Sequence, residues 1–293
     1  MTNTRLSDLP APDIIEPLDH QAILDDKIAR FKKMNPDYTG LLPSDPVFKA
    51  LELSAYDELV LRQRINDAAR AVMPAYARGT DADHLASRYH VYRETLHPGD
   101  PDARPPVPAT MESDNSLIQR ALLAFEGFST AGPKGSYQFY ALSASAVVKA
   151  VEVQSPAPCE VLLTVLSHQD DGSASEPLLE TVLSAVNDDD VRPLTDKVTV
   201  QSAGIRRYSI DAELKLEKGV TEDIALQAAQ EAIRKYSLTT HRLGAVVSLS
   251  AIYAALHQTG VLSVVLHHPR REIVCQSTEA PFCTSIKVTG ATR

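Results

Sequence analysis

The chain has 293 residues, is 44% hydrophobic, contains no tryptophan and is only 5% aromatic, so it is long enough to bury one large core or two ordinary ones, filled mainly by aliphatic side chains. Its 29 Lys plus Arg against 38 Asp plus Glu leave a net charge of −9. With no long basic run, that balance argues against gripping nucleic acid by its phosphates. No run approaches the ~20 apolar residues of a membrane span, and Cys159, Cys275 and Cys283 are too few and too scattered for a disulfide framework. A reducing compartment, and hence synthesis and folding in a cytoplasm, is the expectation.

The first 17 residues, polar and broken by Pro10, Pro12 and Pro17, read as extended chain, neither a signal peptide nor a membrane anchor. Asp19 to Lys33 reads as a helix with Leu24, Ile28 and Phe31 on one stripe and Lys32 and Lys33 near its negative end. Asp45-Pro46 is a start signal, a capping aspartate followed by proline at the first helical position, for a helix reaching about Met73. Its apolar residues fall into two sets. Leu51, Leu59, Ile65 and Val72 run along one broad stripe. Leu53, Tyr56 and Val60 lie elsewhere around the cylinder and need their own cover. Asp81 to Tyr92 reads as a further helix, His97 to Pro108 as a proline-rich loop, and Ser113 to Phe125 as a helix.

The stretch EGFSTAGPKGSY, Glu126 to Tyr137, tests one catalytic reading. Gly127 and Gly132 have phosphate-loop spacing, but Pro133 stands where the lysine belongs and the segment upstream is helical rather than a strand. The stretch is therefore a connector, followed by a short helix over Gly135 to Ser143.

After Ala144 the pattern changes. Strands are predicted over VVKAVEV, CEVLLTVLS, KVTVQSA, RYSIDAELKLE and VLSVVLHH. In RYSIDAELKLE, Tyr208, Ile210, Ala212, Leu214 and Leu216 point inward. Helices are predicted over EPLLETVLSAV, over TEDIALQAAQEAIRKY with Thr221 as its cap, and over SLSAIYAALHQTG. This order predicts an α+β fold: a helical N-terminal half (1–143), a ferredoxin-like split βαβ C-terminal half (144–268) and a C-terminal tail (269–293). The strands Val161–Leu166 and Val261–Leu266 are apolar on both faces, so the strand over Val147–Val153 or another subunit must cover the open side.

Motifs for chemistry are weak. The acidic run Asn187 to Asp196 lacks the alternation and glycine of a calcium loop, so it reads as a solvated loop with Arg192 pairing locally to an aspartate. His267, His268, Cys275 and Cys283 lack paired zinc spacing. His84 and His90 do not share a helix face, and no nucleophile elbow is present. No metal, cofactor or catalytic residue is expected.

Longer stretches carry more. LPAPDIIEPLDHQAILDDKIARF, LVLRQRINDAARAVMPAYARGTDADHLA, LLAFEGFSTAGPKGSYQFYALSA, VRPLTDKVTV and LGAVVSLSAIYAALHQTGV resemble the J-type baseplate wedge proteins of contractile phage tails and tail-like bacteriocins, in order and over nearly the full chain. CQSTEAPFCTS departs from the pattern. The resemblance implies a structural role without catalysis. Two copies would join an I-type wedge protein, bundle their N-terminal helices and pair their C-terminal parts, linking wedges into a ring around the hub, beside the sheath initiator and hub/spike proteins. The partner-facing residues it suggests are Leu51, Leu53, Tyr56, Leu59, Val60, Ile65, Val72, Leu262, Val264 and Leu266. No nucleic acid or membrane partner is expected. The alternative is a small-molecule or nucleotide enzyme, or a ligand-sensing module, on a ferredoxin-like scaffold, because a fold of that kind does not decide function.

Overall fold

The computed structural model describes residues 12–38, 40–129, 131–189, 191–217 and 222–292. The extended reading of the first eleven residues, the Thr221 cap and Asp190 lie outside the described residues. Two compact units divide the chain, one ending at Tyr92 and the other starting at Arg93.

In the first unit, helix α1 (His20–Met34) starts where Asp19 accepts a hydrogen bond from the Gln21 amide. Helix α2 (Pro46–Ala71) starts at the predicted Asp45-Pro46 signal, Asp45 accepting from the Val47 amide at 3.0 Å. Satisfying one otherwise orphaned donor per helix start is what makes these aspartates boundary markers. The two helices pack along Leu24 and Ala55, both buried. Helix α3 (Thr80–Ser87) ends earlier than the periodicity suggests. His90 adopts φ 59°, and the Val91 amide reaches back to the Ala86 carbonyl, so the chain folds over the helix end and buries Val91.

The second unit opens with a hairpin, β1 (Thr95–His97) against β2 (Thr110–Met111). The proline-rich segment between them is a closed arm. Asp100 and Val107 exchange amide–carbonyl bonds at 2.8 and 2.9 Å, and the Asp100 carboxylate accepts from the amides of Asp102 and Ala103. Gly99 (φ +74°) is required there, since a Cβ would sit 2.5 Å from the Val107 carbonyl oxygen. Helices α4 (Asp114–Gly127) and α5 (Lys134–Ser143) follow.

The C-terminal part is α+β, with its strands divided between two mixed sheets rather than gathered in one split βαβ sheet. The first has the order β3 (Val148–Gln154), β4 (Glu160–Ser167), β5 (Lys197–Ser202). Strands β3 and β4 are antiparallel, whereas β4 and β5 are parallel through helix α6 (Glu176–Val186). Its core holds Tyr137, Leu142, Val151, Leu163, Val165, Val182 and Val186. The second has the order β10 (Glu279–Thr292), β6 (Gly204–Leu216), β8 (Val261–His268), covered by α7 (Glu222–Thr240) and α8 (Leu249–Leu256). A small pair, β7 (Val246–Val247) and β9 (Ile273–Val274), completes it. The alternation predicted for β6 holds: Tyr208, Ile210, Ala212, Leu214 and Leu216 are all buried.

Strand β10 explains the division. It lies parallel to β6 from Glu279↔Gly204 to Thr292↔Leu216, while β8 takes the other edge, so β6 has no edge left for β4 or β5. The segment after His268 is thus a structural strand as well as a tail. The strand over Val148–Gln154 pairs edge to edge with β4 and does not lie over a sheet face.

Candidate assembly surfaces

Helix α2 presents a continuous exposed stripe. On its α1 side, Lys27 bonds Ser54 Oγ at 3.1 Å and Glu58 at 2.8 Å, Arg62 holds Glu58 at 2.7 Å, and buried Asn66 exchanges two hydrogen bonds with the Glu16 main chain. Leu51 and Leu59 are half-buried on that side, around fully buried Ala55. Leu53, Tyr56 and Val60 are 63%, 56% and 48% exposed. Their spacing of three and four residues puts them on one stripe, turned well away from Ala55. The first predicted set divides: Ile65 is exposed on the helix flank, and Val72 is exposed just past the helix end, as its C-cap. Leu61, exposed beside them, was not singled out from the sequence; only its distance from the α1 contact marks it.

Strand β8 is the edge of its sheet, with no strand among the described residues on its outer side. Val264 and Leu266 pack against the core around β6, whereas Leu262 is 57% exposed and Val265 also faces outward. Beside this edge, Tyr253, Ala254, His257 and Val264 line a shallow groove of about 250 Å³. Leu194, 93% exposed on the loop before β5, and Phe128 at the end of α4 are further apolar side chains that reach solvent.

The residues considered for chemistry do not converge. No group of three or more His, Cys, Asp or Glu among the described residues could hold a metal ion. Cys159 is exposed, Cys275 buried and Cys283 half-buried, all as free thiols, with burial raising the pKa of the last two. His267 lies 3.9 Å from Glu213 across β8 and β6, and His84 and His90 are exposed. Arg192 donates to the Asp196 main-chain carbonyl at 2.8 Å. The EGFSTAGPKGSY connector docks on this loop. Gly132 (φ +70°) lies against Pro193 and Asp196, and the Tyr137 hydroxyl donates to Asp196 Oδ2 at 2.8 Å.

The family model described as Baseplate J-like N-terminal domain matches residues 43–100, the Baseplate J-like central domain matches 129–202, and the Baseplate J-like protein C-terminal domain matches 208–289. The last two coincide with the two sheets. Among solved structures, a chain of the cryo-EM baseplate of the anti-feeding prophage, 6-fold symmetrised, is similar at 16% identity and a TM-score of 0.45 over 61% of this chain and 44% of that one. Baseplate protein J of Escherichia phage P2 is 45% identical over 290 residues, covering 97% of this chain and 96% of the phage protein. With that identity over almost its whole length, the chain belongs to the Baseplate J-like family of structural baseplate proteins.

Proposed function

We propose that this chain is a non-catalytic wedge protein of a contractile-tail baseplate, whether of a phage, a prophage or a tail-like bacteriocin. It assembles in the host bacterial cytoplasm and ends in the baseplate of the finished particle. The helical region 1–143 serves as the bundling part. There Leu53, Tyr56 and Val60 of α2, flanked by Ile65 and Val72, meet the helices of an I-type wedge protein, while Leu51 and Leu59 line the α1 side. The region 144–268 serves as the pairing part. It joins a second copy of the chain along β8, with Leu262 outermost and Val264 and Leu266 beneath it, and so links wedges around the hub and spike below the sheath initiator.

The observation that carries this reading is the α2 stripe: three large side chains, each about half or more exposed, at one helical spacing on a 26-residue helix. Exposed apolar residues in a contiguous row are what a partner helix needs, and scattered ones would not be. The test replaces Leu53, Tyr56 and Val60 together by serine. The triple variant should keep its melting temperature to within a few degrees and lose co-purification with the I-type partner. Unchanged co-purification would remove the stripe from the interface.

A further inference from the structure

The central sheet and the C-terminal sheet have separate cores, and a small apolar cluster flanked by polar bonds joins them. Only Ala203 separates β5 from β6. The apolar contact at the seam is Leu166, Ala203 and Ala280, with Ala150, Ile205 and Leu243 partly buried against them. Around it, side-chain bonds cross from one sheet to the other. Gln154 of β3 donates to Ser277 Oγ at 2.8 Å, Arg207 of β6 pairs with Asp171 of the loop after β4, and Lys149 of β3 bonds His241 Nδ1, at the end of α7, at 3.0 Å. Interfaces of this kind, poor in apolar area, allow relative motion of the parts they join.

His241 is the centre of the seam. Its ring stacks edge-on against Phe282 of β10, with centroids 5.5 Å apart. Gly172 (φ +99°) is pressed so close that a Cβ there would stand 2.6 Å from Nε2. A lysine ammonium can only donate, so Nδ1 is the acceptor and the ring hydrogen is on Nε2, which is buried beside the Asp171 main chain. We propose that this seam is an acid-released latch: a proton taken from solvent by His241 Nδ1 occupies the lone pair that receives the Lys149 bond, sets two cations side by side, and frees the C-terminal sheet from the central one.

The charges facing the ring support this assignment. Lys149 from β3 and His168 from the end of β4 oppose a proton on His241, whereas Asp171, itself paired with Arg207 from β6, favours one. Phe282 from β10 is uncharged, and Arg242 follows His241 in the chain. Burial first and Lys149 second hold the imidazole at about 4, below its usual 6.5, and burial likewise lowers His168. A base held below its ordinary value is neutral in the closed form and charged in the open one. Closure is therefore complete above about pH 6.5 and weakens as the pH falls below that.

Hydrogen exchange on the full chain tests the latch, with rates corrected for the intrinsic pH dependence of exchange. The Ala203 amide, which bonds the Val165 carbonyl of β4 at the link between the sheets, reports the seam; those in the middle of β6 report the core. Between pH 7.5 and pH 5.0, the Ala203 amide should lose protection by on the order of tenfold while the β6 amides keep theirs. His241→Gln should flatten that dependence, and Lys149→Met should lessen it, by removing the opposing charge while the ring stays buried. Seam protection unchanged with pH in the unmodified chain, or the same pH dependence in both variants, would overturn the proposal.

Discussion

Replacing Arg120 with alanine probes the most deeply buried ion pair among the described residues. Arg120 and Glu112 are each 5% exposed, and the guanidinium grips the carboxylate through two of its nitrogens, Nε to Oε1 at 2.9 Å and Nη2 to Oε2 at 2.6 Å. Arg120 also reaches Glu94 at 3.2 Å, and Arg93 holds the Glu112 carbonyl and Asp114, both at 2.6 Å. The network ties the β1–β2 hairpin to the start of α4. Alanine at 120 leaves the Glu112 carboxylate in an apolar setting with only the long 3.3 Å bond from the Glu94 amide. Removing one partner of a buried pair costs about 3–5 kcal/mol, because the remaining charge has lost both water and its counter-ion. At about 2–4 °C per kcal/mol for a unit of this size, the melting temperature should fall by roughly 6–20 °C. The double variant Arg120→Met with Glu112→Leu removes both charges and should recover most of that loss, since an apolar replacement of similar volume is often neutral. Urea titration of the three proteins, followed by circular dichroism, measures the difference. If the double variant is as unstable as the single, the cost comes from lost packing and the uncompensated-charge reasoning is refuted.

Two further outcomes follow from burial. Leu214→Ala, in the middle of β6 and fully buried, should destabilise by about 2–5 kcal/mol, whereas Leu238→Ala on the exposed side of α7 should change stability by about 0.5 kcal/mol or less; denaturant midpoints separate them. Cys159, exposed on the turn before β4, should react with a thiol reagent well ahead of Cys275 and Cys283, whose thiols burial keeps protonated; peptide mapping after a short pulse reads the order.

Much of the local structure is written in neighbouring residues. The Asp19 and Asp45 caps, the limits of α6 and the inward set of β6 follow from hydrogen-bonding needs and periodicity that operate within a few positions, so they are legible without the fold. The two apolar sets on α2 are legible as residues with no room on one face. Which of them are exposed depends on where α1 lies, a packing choice set by Ala55 and the Lys27–Glu58 pair. Strand β10 has a signal that could have found it, the alternation of Ile286 and Val288 with Ser285, Lys287 and Thr289, but nothing local says that it pairs with β6 rather than ending the chain as a tail. Pairing partners, and with them the division into two sheets, are decided by edges contributed from residues far apart in sequence, as between Gly204 and Glu279. The Lys149–His241 seam, 92 positions apart, is of the same kind. Local chemistry selects the elements, and only the closing of long loops in three dimensions selects which elements meet.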